Sequence, residues 1–448
     1  MKVAVVGAGI AGLSCAYELS RPGQPFEVTL FEADSYFGGH THTVDVTLQG
    51  VTYGIDTGFL VFNHQTYPNL LKLFAELEIE TVASDMSFSV SLTDRKLEWA
   101  GSNLNTVFAQ RRNLLRPRFL RMLADILRFN KLATALALSA GPLESAVRHD
   151  ETVAAFLARH RFSQQFRDAY LLPMAGAIWS CPTGQMMAFP ISTLIRFCHN
   201  HGLLQVNRRP LWYTVKGGAR EYVRRMLPTL SDTRIACPVI TVYRGTRNGR
   251  PAVAIETADG IEWFDQVVLA THSDQSRRLL QDANREEARI LEAIAYTPNR
   301  AVLHTDATLL PSQRAWSAWN YESRQGGPDE DTRLCVHYLI NRLQPLPFKQ
   351  AVLVSLNPIR DPDPASVLRE IHYSHPVFDT AALAALARLP ALQGDQHTWF
   401  CGAWTGYGFH EDGLKSGLAV AQALKTRAQQ AGGARIPAPE HAARFQAA

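Results

Sequence analysis

The chain has 448 residues, 46% of them hydrophobic and 19% charged. That excludes a disordered or collagen-like polymer and, at roughly 150 residues each, leaves room for two to three domains. Lys and Arg number 45 against 41 Asp and Glu, a net charge of +4, too small a surplus to suggest a nucleic-acid binder. No uninterrupted apolar run of about 18 residues occurs, so no transmembrane helix is expected. Lys2 and the apolar run after it superficially suggest a secretory signal, but the glycines in that run and Glu18 beyond it argue against one. The cysteines (Cys15, Cys181, Cys198, Cys237, Cys335 and Cys401) form no C-x-x-C pair. A reducing cytoplasm is the simpler expectation.

In chain order, Lys2–Val6 predicts a strand buried on both faces, and helical spacing follows from Ala11 to Leu19, stopped by Arg21-Pro22-Gly23. Val28–Glu32 predicts a second strand. Strand, turn, helix and strand within 32 residues specify a parallel mononucleotide-binding unit. Residues 44–55 alternate as an antiparallel pair with a turn at Gly50. From Thr66 to Asn200 the pattern is mostly helical, with few strand signals. Strands return at 235–243, 252–257 and 263–270, a mixed region runs to about 390, and 400–424 reads strand, glycine-rich turn and helix.

Val5-Val6-Gly7-Ala8-Gly9-Ile10-Ala11-Gly12 sets G-x-G-x-x-G between the first strand and the first helix. Gly7 permits the tight turn, Gly9 lets backbone approach a pyrophosphate, and Gly12 lets the helix pack on the strand. The helix start around Ala11 offers N–H groups and a positive dipole end. Glu32 follows Gly12 by 20 residues. With Ala33 beside it and Asp34 behind it, Glu32 is placed to accept hydrogen bonds from ribose hydroxyls and disfavours NADP.

Beyond Glu32, Gly38-Gly39-His40-Thr41 brings a second bare stretch of backbone to the nucleotide, and Asp56-Thr57-Gly58 follows the antiparallel pair. Here the sequence resembles the flavin-containing amine oxidase superfamily, which includes monoamine oxidases, protoporphyrinogen oxidase and carotenoid desaturases. The likeness covers the first 60 residues, 235–270 and 399–424. It implies FAD as cofactor, with Gly38, Gly39 and Thr41 at its phosphates and Asp56 to Gly58 near the flavin. The family usually carries Arg where this chain has His40. Cys237-Pro238-Val239-Ile240 resembles the strand whose backbone, at Val239, hydrogen-bonds the adenine. Phe264 to Thr271, through Ala270, resembles the strand that returns to the nucleotide fold. Phe400-Cys401-Gly402-Ala403-Trp404 and Asp412-Gly413-Leu414-Lys415-Ser416-Gly417 resemble the closing flavin motif. Gly413 is expected to open a helix whose N–H groups face the flavin.

The expected fold is therefore α/β. A Rossmann-like FAD-binding domain of the glutathione-reductase and amine-oxidase type is assembled from 1–65, 205–275 and 390–430. A mixed α+β substrate domain is built from 66–204 and 276–389, and 431–448 forms a flexible tail.

Residues 111–131 hold Arg111, Arg112, Arg116, Arg118, Arg121, Arg128 and Lys131 with one acidic residue, Asp125. Two readings stand: an ordinary solvated helix, or a peripheral contact with the inner face of the membrane. Leu171 to Pro190 is apolar, with Met174, Met186, Met187 and Trp179, and either lines a channel for a hydrophobic chain or belongs to the core. Trp319, within Trp316 to Tyr321, is a candidate for an aromatic edge over a flavin or for a packed strand.

No G-x-S-x-G elbow occurs, and the His40/His42 and His199/His201 pairs lack a carboxylate at ligand spacing, so neither hydrolysis nor metal catalysis is expected. The superfamily's amine oxidases usually carry a Lys near flavin N5; the comparable stretch, Tyr296 to Asp306, has Arg300 and His304 instead. His410 and Glu411 are the better candidates for polar groups at the flavin, or else they shape the turn. Tyr407 to Gly413 also resembles a bacterial subgroup of FAD-binding oxidoreductases associated with cyclopropane-fatty-acid-synthase-like enzymes, which implies redox or isomerisation chemistry on an acyl chain. An amine oxidase and a non-catalytic flavoprotein remain the alternatives; the oligomeric state is not legible.

Overall fold

The computed structural model describes residues 1–139, 151–179, 183–205, 209–324 and 333–433. Its organising element is a five-stranded parallel sheet, in the order Asp232–Arg234, Glu27–Phe31, Lys2–Val6, Gln266–Leu269 and Thr398–Phe400. Val3, Ala4 and Val5 have no exposure. Such two-sided burial is why the strand reads as a continuous apolar run rather than an alternation. Two helices cover one face: α1 (Ile10–Leu19) and the long C-terminal helix (His410–Gly433). The chain thus leaves this sheet and returns to it from widely separated segments.

A seven-stranded sheet forms the second layer, in the order Val367–Val377, Ala295–His304, Leu353–Leu356, Arg333–Leu339, Trp319–Arg324, Phe88–Leu92 and Leu97–Ala100. One face packs on helices of the 117–200 region, in a core that includes Val90, Trp99, Phe129, Phe166, Ala301 and Val354. The antiparallel pair Thr43–Leu48 and Val51–Asp56 turns at Gly50, as the alternation predicts.

Two expected strands need correction, whereas the 66–200 region is mostly helical as expected, its few strands being Thr81–Ser84, Phe88–Leu92 and Leu97–Ala100. Their partners are distant, such as Trp319–Arg324, and such short segments lack a local signal strong enough to outweigh the surrounding helical pattern. The 235–243 segment is a strand only from Thr241; Pro238 interrupts it, and Ala236 takes φ +50°. The 263–270 segment breaks at Asp265 into an antiparallel strand, Gly260–Phe264, and a parallel one, Gln266–Leu269. The helices Arg285–Glu292 and Thr380–Leu386 pack against the parallel sheet through Ile290, Leu291 and Ala382.

The five described cysteines are free thiols, while Cys181 lies outside the described residues. So does the expected tail beyond 433. No helix among the described residues is long and apolar enough to cross a membrane.

Candidate functional site

The two glycine-rich stretches meet. Gly38 N–H donates to the Ala8 carbonyl at 2.8 Å, and Gly9 bridges Gly38. A Cβ on Gly39, at φ +57°, would stand 3.1 Å from Gly9 Cα, so only bare backbone permits this approach. On Gly12 a Cβ would fall 1.9 Å from the Gly7 carbonyl oxygen and 3.0 Å from Ala270 Cβ, which sets how closely α1 sits on the sheet. Gly9 itself is open: a Cβ there meets nothing within 4 Å, and no side chain caps α1 at this end. The N–H groups that open α1, through Ala11, are therefore left without a side-chain cap beside open space at Gly9, an arrangement suited to an anionic group.

Glu32 ends the second strand where expected. Its carboxylate accepts Ala8 N–H at 2.7 Å and Asp34 N–H at 2.9 Å, and burial raises its pKa against those hydrogen bonds. Ala33 is exposed beside it. Val239 lies in the extended connection rather than in a strand. That connection is tied to the same place, because Cys237 N–H donates to the Glu32 carbonyl and Ala236 N–H to the Asp34 carbonyl. Glu32 and Val239 are thus brought to one end of the sheet.

The Arg position of the family is filled by a buried imidazole. His40 stacks on Tyr373 at 4.8 Å, lies 5.4 Å from His375, and has an Nε2 that is buried without a partner among the described residues. Burial depresses the pKa of His40 and brings that of His375 to about 4, so both rings are neutral near pH 7. The Tyr373 hydroxyl lies 2.9 Å from Thr57 Oγ1 and 3.2 Å from His42 Nδ1. Gly58 is required because a Cβ would fall 2.3 Å from the His40 carbonyl oxygen. Asp56 is fully enclosed: its carboxylate accepts from Thr43 Oγ1, Ala219 N–H and Gln344 Nε2, and burial lifts its pKa to about 7.

At the C-terminal end, the long helix begins at His410, so Gly413 lies inside its first turn and does not open it. A Cβ on Gly413 would stand 2.9 Å from Ile10 Cγ2, so its smallness serves the approach of this helix to α1. Leu414 is buried, and its carbonyl accepts Ser14 Oγ at 3.5 Å. Gly402 N–H donates to Ser416 Oγ at 2.9 Å, which ties the strand end to the helix. Asp412 accepts the N–H groups of Tyr407 and Phe409, with its pKa raised by burial to about 6. Both oxygens of Glu411 are occupied at the start of α2 (Pro68–Glu76), accepting Asn69 N–H and Leu70 N–H. Glu411 thus caps a helix distant in sequence, which is neither of the two readings the sequence left open for it.

His410 is different. It stacks on Phe59 at 3.8 Å, and its Nε2 lies 2.9 Å from the Tyr222 hydroxyl, which also hydrogen-bonds Thr41 Oγ1. Burial brings its pKa to about 3. Trp319 opens its strand with its ring edge-on to Tyr338 at 4.8 Å, in keeping with a packed strand. Met186 is core, and Met174 and Met187 are half-buried against the same core; the Trp179 side chain and residues 180–182 lie outside the described residues.

Tyr222, Tyr373 and His375 escaped the sequence reading. Each is a single aromatic residue outside any glycine-rich motif, and only the pairing of distant strands and helices brings them in.

The open face at Gly9, the uncapped helix end and the orphaned His40 Nε2 together fit a dinucleotide with a central anionic group. A model of the flavin containing amine oxidoreductase family matches residues 10–425. A search of curated proteins finds no match. Among solved structures, a fatty acid isomerase from P. acnes that produces CLA is similar at 14% identity, with TM-score 0.65, over 95% of this chain and 98% of that one. Cyclohexylamine oxidase from Brevibacterium oxydans IH-35A matches at 15% identity, TM-score 0.66, over 96% and 99%. Putrescine oxidase bound to putrescine matches at 15%, TM-score 0.65, over 95% and 100%. At these identities the likeness is one of fold. By the family match across nearly its whole length, the chain belongs to the flavin containing amine oxidoreductases and is an FAD-dependent oxidoreductase.

Proposed function

We propose that this enzyme acts on a hydrophobic acyl chain, free or carried by a lipid, by oxidation, desaturation or isomerisation. FAD, bound at the cradle, supplies a hydride acceptor at N5. Gly7, Gly9, Ala11 and Gly12 would hold its phosphates with Gly38, Gly39, His40 and Thr41. Glu32, Ala33 and Val239 would hold the adenosine half. Thr57, Gly58, Ala270, Gly402, Asp412, Gly413 and Leu414 would line the flavin end, with Asp56 bracing that turn from behind.

One observation carries the acyl reading: the carboxylates next to His410 in sequence, and Asp56 at the end of the antiparallel pair, are already committed. Asp56, Glu411 and Asp412 each accept main-chain N–H groups, so none of the three is directed at a cationic amine. The surrounding groups are aromatic or neutral. Phe59 covers His410, Phe197 stacks on Phe409 at 4.6 Å, and His201, its pKa brought to about 4 by burial, stacks on Phe197. Such a lining suits methylene groups and penalises an ammonium.

The missing Lys points the same way. In the strand Ala295–His304, Arg300 pairs with Asp361 and Glu370, and His304 is buried against Ser355 at 2.7 Å. Of the candidates raised by the sequence, His410 is retained: Tyr222 holds its ring, so that it presents a fixed neutral imidazole to the substrate. The resemblance of Tyr407 to Gly413 to the subgroup associated with cyclopropane-fatty-acid-synthase-like enzymes supports the same substrate class. Such a substrate exchanges with a bilayer, and we place the chain in the cytoplasm at the membrane's inner face.

Solvent extraction of the flavin-loaded protein purified without detergent, followed by mass spectrometry, tests the assignment. A bound acyl lipid in near-stoichiometric amount is expected. An extract free of acyl species, from a preparation that turns over amines, contradicts it.

A further inference from the structure

A leucine-bearing helix face points away from the core. The helix α3 (Pro117–Ser139) buries Phe119, Met122, Phe129 and Ala133. At about 100° per residue, Leu120, Leu127 and Leu138 fall within roughly 20° of one another on the opposite side. They are exposed, Leu138 to 73%, and Leu115, in the turn just before the helix, to 88%. A soluble surface rarely aligns apolar side chains in this way without a partner.

The charge around this face is of one sign. Seven Arg and Lys stand between residues 111 and 131 against Asp125 alone. Asp125 is buried and paired with Arg121 and Arg128, so no carboxylate of the segment reaches the outer face. Lys131 shares the leucine line, and Arg121 and Arg128 stand to one side of it. Leucines to insert, basic groups around them and no exposed acid are complementary to one occupant, an anionic lipid surface with the helix lying in its plane.

The helix that carries this face packs its other side toward the candidate site. α3 packs on α4 (Ile191–Asn200), whose Phe197 stacks on Phe409, one residue before His410.

We infer that Leu115, Leu120, Leu127 and Leu138, with Lys131 on their line and Arg121 and Arg128 to one side, form the surface by which this enzyme docks on anionic membranes. This deepens the membrane placement proposed above. Docking is measured without turnover, so its failure is distinguishable from failure of the acyl-substrate assignment.

The test is cosedimentation of the flavin-loaded protein with phosphatidylcholine vesicles containing phosphatidylglycerol, and with pure phosphatidylcholine vesicles. Binding is expected only to the anionic vesicles and should weaken with salt. Lys131→Gln should reduce it about fivefold, the share of one charge. Leu120→Glu with Leu127→Glu should abolish it while leaving flavin content and thermal unfolding unchanged. Three results overturn the inference, the first two being absence of wild-type binding to anionic vesicles and undiminished binding by both variants. A wild-type dimer in analytical ultracentrifugation that the leucine variant dissociates also overturns it, because a second copy then covers the face.

Discussion

The Tyr222 hydroxyl stands 2.9 Å from His410 Nε2 and reaches Thr41 on its other side. One buried phenol thus connects the loop after the glycine pair to the first residue of the C-terminal helix. Burial keeps Tyr222 un-ionised, its pKa pushed up, and His410 neutral. Tyr222→Phe leaves two buried polar groups short of a partner, at a cost of about 1–3 kcal/mol. Urea unfolding should show that loss, and kcat should fall with it; unchanged stability would mean that the three groups do not form one chain.

Glu32 supports the glycine turn through Ala8 N–H and faces the expected adenosine side. Glu32→Gln should weaken FAD retention at least tenfold, about 1.4 kcal/mol. The ratio of flavin to protein after extensive dialysis reads this directly, with full retention arguing against the ribose role.

Gly417 sets how closely the C-terminal helix approaches α1. A Cβ there would fall 2.1 Å from the Ala11 carbonyl oxygen and 2.2 Å from Ser14 Oγ, where the C-terminal helix crosses α1. Gly417→Ala should destabilise the protein by about 1–3 kcal/mol through overpacking and loosen FAD secondarily. Added FAD should restore part of the thermal stability.

Acid should destabilise the native state through its buried imidazoles, which outnumber Asp56 and Asp412, whose carboxyls, raised by burial to about 7 and about 6, act in the opposite direction. Burial brings His304, His201 and His375 to about 4 and His410 to about 3. In the unfolded chain these rings protonate near 6.5. The unfolded state therefore binds more protons between about 6.5 and 4, and stability falls as pH drops through that window. For His304, with no exposure, the slope is on the order of 1 kcal/mol per pH unit. Urea midpoints at pH 7.5 and 5 measure the effect, and His304→Asn should flatten it.

Much of the fold was legible because its signals are local. Gly7 to Gly12, Glu32 and Gly38-Gly39 each announce a backbone requirement within a few residues, and the structure lays the two glycine stretches against one another. What stayed hidden depends on distant partners. Phe88–Leu92 becomes a strand by pairing with Trp319–Arg324, and Tyr222 matters because Thr41 and His410 reach it from far along the chain. Glu411 shows the same limit: its neighbours suggest a flavin site, while its oxygens cap α2.

The most direct test of the account is anaerobic mixing of the flavin-loaded enzyme with unsaturated fatty acids, phospholipids and primary amines. The visible flavin absorbance is followed and the products are separated by chromatography. The account predicts bleaching by an acyl substrate, or a moved double bond without net bleaching, and no response to amines. Bleaching by amines with release of aldehyde, and acyl chains recovered unchanged, would contradict it.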